Sequence, residues 1–483
     1  MERRTFLKIL SSAGIVSLVS PTFAMEVCKN KVSKSSSALL ESAFRNPPFS
    51  SGVYTWWHWM NGNITKDGIT RDLEAMKANG IAGYQLFEAG SGIPIGPVES
   101  LSDEWVDLIL HTLKESERLG LEFAMHNCPG WSSSGGPWIT PDKAMQIITW
   151  SETKITGGKQ VRIQLPTPKH MFDYYIDTYC LAIPANMKVI PRLSILELSN
   201  RLDKDGVLTW DVPTGEWLIM RFGQTAKDQK NKSAPSKSTG LDCDKFSTEA
   251  LDYHLNCMFK RLMPAMEKIA KHSKIGLLID SYETGDQDWT SDMPAYFEQS
   301  HGYELYPFLP VLANKIVESE ESTKRFLFDF RRVRADMFAE RYYGHFQKRC
   351  KEKGIITYTE PYGGNMMEEL QVAQQLDINM GEFWCGQTVL WANYKYNRTV
   401  KQVASIAHTL GGKVVGAEAF TSEPDADKWL QYPYALKSLG DYMFTRGLSR
   451  IYFHRFAHQP HPTAAPGMTM GAWGLHFDRT NTW

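Results

Sequence analysis

Eight short apolar runs, most of them with an acid or a histidine within two residues of their end, recur along this 483-residue chain and constrain its fold more than any other feature. They occupy residues 53–61, 81–87, 121–125, 274–280, 355–360, 378–384, 413–420 and 450–454. A continuous apolar run of this length suits a strand buried on both faces, as in a parallel sheet or barrel. Between the runs the apolar residues return at helical period. Thr65 stands where a helix cap is expected before residues 69–79, and Gly80 where that helix should stop. Ser102 is placed to cap a second helix over 103–119. Eight strand–helix units predict a (β/α)8 TIM-like barrel. An open doubly wound sheet would usually carry a glycine-rich phosphate loop, and the chain has none.

The rhythm breaks after the third strand. Residues 144–222 read as short alternating runs separated by turn residues such as Gly157-Gly158. This predicts a small antiparallel β insert, and the Lys/Ser-rich stretch 224–240 reads as a mobile connector back to the barrel. The expected organisation is barrel over 45–143, insert and connector over 144–240, and barrel again over 241–483. The opening Arg3-Arg4-Thr-Phe-Leu-Lys8, an apolar stretch and Thr22-Phe-Ala24 resemble a bacterial twin-arginine export signal, so residues 1–24 are set aside and a periplasmic or extracellular location is expected. Residues 33–37 read as a Ser-rich linker. The formal net charge of −1 gives no electrostatic footprint for nucleic acid or an anionic membrane surface. Seven scattered cysteines without a C-x-x-C pair indicate neither a zinc knuckle nor a disulfide framework. Oligomeric state is not readable.

The strand ends carry the chemistry. They present His58 and Asn61, Glu88, His126 and Asn127, Asp280 and Glu283, then Glu360, Glu382 and Glu418, and finally His454 and His458. A barrel brings all of these to one face. Carboxylates so gathered repel one another unless they share protons, bind a cation or bind a polar ligand. Paired carboxyls without a nucleotide loop point to glycoside hydrolysis, where one carboxyl protonates the leaving oxygen and the other acts as base or nucleophile. Aromatic content supports a carbohydrate substrate, because 15 Trp, 20 Tyr and 23 Phe supply many flat faces for sugar rings. Trp56, Trp57, Trp59, Trp131, Tyr282, Tyr362 and Trp384 lie beside the acids. A hard cation such as Ca²⁺ would account for the surplus of acids. Metal-dependent hydrolysis through His126, His454 and His458 is the rival, although no H-E-x-x-H spacing is present.

Several segments resemble glycoside hydrolase family 106, the α-L-rhamnosidases. They are Trp56-Trp-His-Trp-Met-Asn-Gly-Asn-Ile-Thr65, Asn127-Cys-Pro-Gly-Trp131, Asp280-Ser-Tyr-Glu283, Thr359-Glu-Pro-Tyr362, Gly416-Ala-Glu-Ala-Phe420 and the tail Gly467-Met-Thr-Met-Gly to His476-Phe-Asp-Arg479. The resemblance implies a (β/α)8 catalytic domain, an inverting mechanism and a calcium ion in contact with the sugar. By position it implies Glu283 as general acid, Glu418 as general base and Asp280 as the charge partner of Glu283, with these roles open to exchange. Glu360 and Glu382 are left for calcium or sugar hydroxyls. Trp57, His58, Trp59, Asn61, Asn127, Trp131, Tyr282, Tyr362 and His454 are then the expected sugar contacts. Family members are longer and carry β-sandwich domains after the barrel, so exposed apolar surface is expected where such domains would pack. A shortened, non-catalytic carbohydrate-binding remnant is the alternative of another class.

Overall fold

The computed structural model describes residues 34–385, 389–412, 414–422, 428–464, 467–471 and 473–481. The expected export signal lies outside them. The chain divides into residues 1–52 and 53–483. In the first unit the expected Ser-rich linker is instead the start of a helix, Lys34–Arg45, closed by a Glu41–Arg45 ion pair one turn apart. The residues that follow, Leu39, Leu40 and Phe44, continue its period on an exposed surface.

The second unit is built on a closed barrel of eight parallel strands. These are β1 (Val53–Met60), β2 (Ile81–Ala89), β3 (Glu122–His126), β4 (Ile275–Ile279), β5 (Ile356–Thr359), β6 (Ile378–Trp384), β7 (Val415–Thr421) and β8 (Arg450–Ala457). Closure comes from parallel pairing of β1 with β8, where Tyr54 faces Tyr452 and His58 faces Ala457. Local chemistry sets the intervening helices. Thr65 accepts from the Gly68 amide and Ser102 from that of Trp105, so each satisfies an otherwise orphaned donor. Gly120 ends the second helix in the left-handed region at φ 66°, where a side chain would be strained.

Period-two alternation decides what each strand contributes. Tyr54 of β1, Tyr358 of β5 and Tyr452 of β8 meet inside the barrel, ring to ring, and plug its N-terminal end. Gln85 of β2 reaches across to the Met380 sulfur of β6 at 3.1 Å. The outward residues Phe383, Ala417, Ala419 and Phe420 form a core with Leu436 and Met443 of the helix Pro433–Thr445. The other side of that helix shows Tyr434, Tyr442 and Phe444 to solvent.

The insert after β3 contains a four-stranded antiparallel sheet in the order 146–156, 216–226, 176–184, 196–197, and a two-stranded sheet of 159–164 with 207–212. After the insert the chain returns to the barrel through two helices, Thr248–Phe259 and Met263–Ala270, which do not merge because Pro264 lacks the amide needed to carry the ladder through. The long helix leading to β5 contains a π-helical stretch, Phe338–Gly344, which packs Phe338 against Tyr282 beneath the barrel mouth. The six described cysteines are free thiols. No described helix is long and apolar enough to cross a membrane.

Candidate active site

At the C-terminal end of the strands the barrel opens into a cavity of about 570 Å³, a size suited to a small ligand. Its wall is formed by Trp56 and His58 from β1, Phe87 from β2 and His454 from β8, together with Trp131 beyond β3. Asp280, Glu283, Glu360, Glu382 and Glu418 complete it from the ends of β4 to β7. The sequence phase explains the placement: Glu418 alternates with the outward Ala417 and Ala419, and Glu382 with the outward Phe383.

The acids are in unlike surroundings. Glu418 is buried, accepts from the Thr421 hydroxyl and lies 3.9 Å from His454 Nδ1. Burial, then the nearby Glu382 charge, holds its pKa well above the usual carboxylate range. Glu360 is raised in the same direction by burial and by Asp280, while its Oε2 accepts from Tyr362 at 2.6 Å. Asp280 is raised by burial and by the charge of Glu283. Glu382 accepts a hydrogen bond from the Trp384 indole. Glu283 differs from all of these. Its side chain is 40% exposed, and its Oε2 takes both Lys232 Nζ at 2.5 Å and Trp131 Nε1 at 3.0 Å.

The facing wall is aromatic and neutral. Phe87 stacks on Trp131 with ring centroids 5.7 Å apart and sits 4.3 Å from the His58 ring. Burial lowers the pKa of His126 and His454 to about 3, and that of His58 lowers in the same direction, so these imidazoles are uncharged at neutral pH.

A family model for the alpha-L-rhamnosidases of glycoside hydrolase family 106 matches residues 45–177 and 169–483. The chain belongs to that family. A curated relative from Formosa agariphila, named a putative beta-glucuronidase, is 41% identical over 475 residues, covering 92% of this chain and 40% of the relative. The rhamnosidase structure from Novosphingobium sp. PP1Y superposes with a TM-score of 0.85 at 24% identity, over 92% of this chain and 59% of that one. The chain therefore spans about half the length of these proteins, and the part it spans has the fold of the rhamnosidase's barrel region.

Of the residues expected to touch sugar, His58, Trp131, Tyr282, Tyr362 and His454 line the cavity, as do all five acids. Tyr282 does so largely from beneath, since it is 2% exposed and its hydroxyl donates to the Gly285 carbonyl. Four expected contacts lie elsewhere. Trp57 and Trp59 have the opposite strand phase to Trp56 and His58, and point outward under the helix Lys66–Ala78, where the Trp57 indole donates to Asp72 at 3.2 Å. Asn61 turns away beyond β1 at φ 47° and donates to the Ile93 carbonyl at 2.7 Å, bracing a loop. Asn127 is buried behind the wall, next to the Tyr342 hydroxyl at 3.4 Å, with its own carbonyl accepting from His254.

The histidines of the rival metal reading do not converge. His458 Nδ1 is held by Asp72 at 2.7 Å outside the barrel, and among the described residues no three His, Cys, Asp or Glu side chains are grouped to hold a metal ion. Glu88 is buried against Ser100 rather than in the cavity. Among the lining residues that sequence reasoning missed are Lys232, Phe87, Arg398 and Trp473. Lys232 belongs to the stretch read as a mobile connector, which is instead fixed. The Asn231 amide donates to Pro129 and Ser238 carbonyls, and the Ser233 carbonyl accepts from Gly90 at 2.7 Å. Pro129 and Gly90 are remote in sequence, so composition alone carried no signal of them.

Proposed function

We propose that this chain is the catalytic part of a glycosidase that releases L-rhamnose from α-L-rhamnosides, with Glu283 and Glu418 as its acid–base pair. The observation that carries the reading is the contrast between these two carboxyls in one cavity. One is buried among acids, the other is ion-paired with Lys232. Paired carboxyls in contrasting environments are how an acid and a base are set up side by side. The resting electrostatics favour Glu418 as the proton donor and Glu283 as the base that activates water. This reverses the roles that the family resemblance implies. Asp280 then acts as a charge partner between them, and the aromatic wall of Trp56, Phe87 and Trp131 supplies an apolar face for the sugar ring.

A leaving-group series separates the two assignments. A variant lacking the acid retains turnover of aryl rhamnosides whose phenol leaves easily, whereas one lacking the base is slow on all of them. The reading expects the first behaviour from Glu418→Gln and the second from Glu283→Gln; the opposite pattern restores the other assignment. Inversion is part of the proposal, and NMR of early product should show β-L-rhamnose first. Early α-anomer would replace inversion by retention.

Calcium fits this site in donor chemistry, since Glu360 and Glu382 offer hard carboxylate oxygens and one Glu360 oxygen is buried without a hydrogen-bond partner. These two would hold the ion, with water and sugar hydroxyls completing its shell. When bound, calcium would offset acid charge and fix hydroxyl orientation. The proposal includes export through the twin-arginine-like opening, which cell fractionation tests. Because the chain spans about half of its relatives, a binding remnant is a defined outcome: rhamnoside binding by calorimetry without turnover would establish it.

A further inference from the structure

We propose that Lys232 is a positioning residue for the glycosidase reaction, acting through Glu283, and that the segment 227–232 is the device that sets the catalytic loop after β4. The inference rests on the reading of Glu283 as one of the reacting carboxyls and goes beyond it. Three residues of the segment hold three successive parts of that loop. Lys227 Nζ donates to the Asp286 carbonyl at 2.5 Å, Gln229 Oε1 accepts from the Gly285 amide at 3.4 Å, and Lys232 Nζ meets Glu283 Oε2 at 2.5 Å.

The holder is itself anchored to the barrel. The Lys232 amide donates to the Ser132 hydroxyl, and its carbonyl accepts from the Trp131 amide at 3.2 Å. Lys232 and Trp131 thus lie side by side on paired backbones and reach the same oxygen of Glu283. Gly130 makes this approach possible. A Cβ there would stand 2.1 Å from the Lys232 carbonyl, at a φ of +75° that side chains rarely adopt. With Oε2 committed to two donors, no hydrogen bond from a described residue reaches Oε1, the oxygen left for substrate or water.

A half-exposed ion pair contributes little to folding stability, so the pair is poorly explained as a structural fastening. A charge-assisted hydrogen bond is, however, strongly directional, and misplacing a reacting group by about 1 Å can cost about a hundredfold in rate. The geometry therefore points to orientation of Glu283.

Two measurements test this on the whole chain. The first needs no substrate. A water-soluble carbodiimide activates the Glu283 carboxyl, the Lys232 amine displaces the urea, and the resulting amide joins two peptides with loss of one water. Peptide mass spectrometry should find the Lys232–Glu283 link; its absence, while other close Lys–Glu pairs are linked, would overturn the contact. The second is kinetic. Lys232→Met should lower kcat about 10- to 100-fold with KM within about twofold, and Lys232→Arg should recover most of the loss. A raised KM with unchanged kcat would make Lys232 a substrate contact instead, and an unchanged kcat and KM would remove it from the reaction. Should Lys232→Met melt at a much lower temperature than the parent, Lys232→Gln, which keeps a polar side chain but removes the charge, takes its place, with the same kcat loss at little-changed KM expected and unchanged kcat removing Lys232 from the reaction. A parent enzyme that turns over no rhamnoside refutes the proposed function, and the cross-link then still decides whether this segment holds Glu283.

Discussion

The two parts of the barrel, β1 to β3 and β4 to β8, present opposite chemistry at equivalent positions. The ends of β1 to β3 give the cavity Trp56, His58, Phe87 and Trp131, none charged at neutral pH, while the ends of β4 to β7 give five acids. Both walls contain deeply buried groups, yet burial acts on them differently. On the first it strips the imidazoles of protons and leaves an apolar face; on the second it drives protons onto Asp280, Glu360 and Glu418. The neutral wall therefore cannot offset the acidic one. Charge balance has to come from protons, from the lining cations Lys232 and Arg398, or from a bound cation, and each of these can be removed experimentally.

Removing the proposed acid–base pair is expected to have the largest effect. Glu283→Gln and Glu418→Gln should each lower kcat/KM on an α-L-rhamnoside with a poor leaving group by about 10²- to 10⁴-fold with the fold intact by circular dichroism. If either variant turns over at the parent rate, that residue leaves the mechanism and the contrast between walls loses its chemical meaning.

How much of this contrast was legible in the sequence depends on the side of the barrel. On the acidic side the strands read as apolar runs with one acid at the end, so the phase was unambiguous and Glu360, Glu382 and Glu418 were placed correctly in the cavity. On β1 every residue from Trp56 to Trp59 is aromatic or histidine, so nothing in the pattern fixes which alternate set faces inward. Trp57 and Trp59 were expected at the sugar for that reason, and both face the helix layer. Lys232 was illegible for another reason: a Lys/Ser-rich segment looks mobile until its remote partners, Ser132 and Glu283, are known.

Glu88 breaks the comparison usefully, because it is the acid that ends a strand on the neutral side. It is sealed against Ser100, and burial raises its pKa to about 7. Its folded pKa lies above the unfolded value, so the folded state binds the extra proton and stability falls as pH rises through the window from about 4.5 to 7. The loss should approach about 3 kcal/mol at pH 8. Glu88→Gln mimics the protonated form and should remove it. Urea unfolding of both proteins at pH 5 and pH 8 checks this, and an equal pH dependence in parent and variant would show Glu88 to be ionised in the fold at no cost.

A cation is the third source of balance. If calcium neutralises the acidic wall through Glu360 and Glu382, EDTA should lower kcat/KM by about tenfold or more, with Ca²⁺ and not Mg²⁺ restoring it. Full activity in EDTA, with no calcium retained by elemental analysis, would leave protons and the lining cations Lys232 and Arg398 as counterweights to the five acids.

The smallest effects are the sharpest test of the neutral wall, because they set two neighbouring residues of one strand against each other. Trp56 lines the cavity, whereas Trp57 donates to Asp72, which also accepts from His458, Gln459 and Arg479. Trp56→Phe keeps a ring but shortens the face offered to a sugar, so KM should rise about twofold to fivefold, together with the stability loss of a void at a residue 2% exposed. Trp57→Phe deletes one donor to an acid that keeps three others, so about 1 kcal/mol of stability should be lost with KM unchanged. The two substitutions remove the same atoms and differ only in strand phase. If both move KM, or both move only stability, then the alternation that aims β1 into the cavity is not what divides binding from packing on this wall.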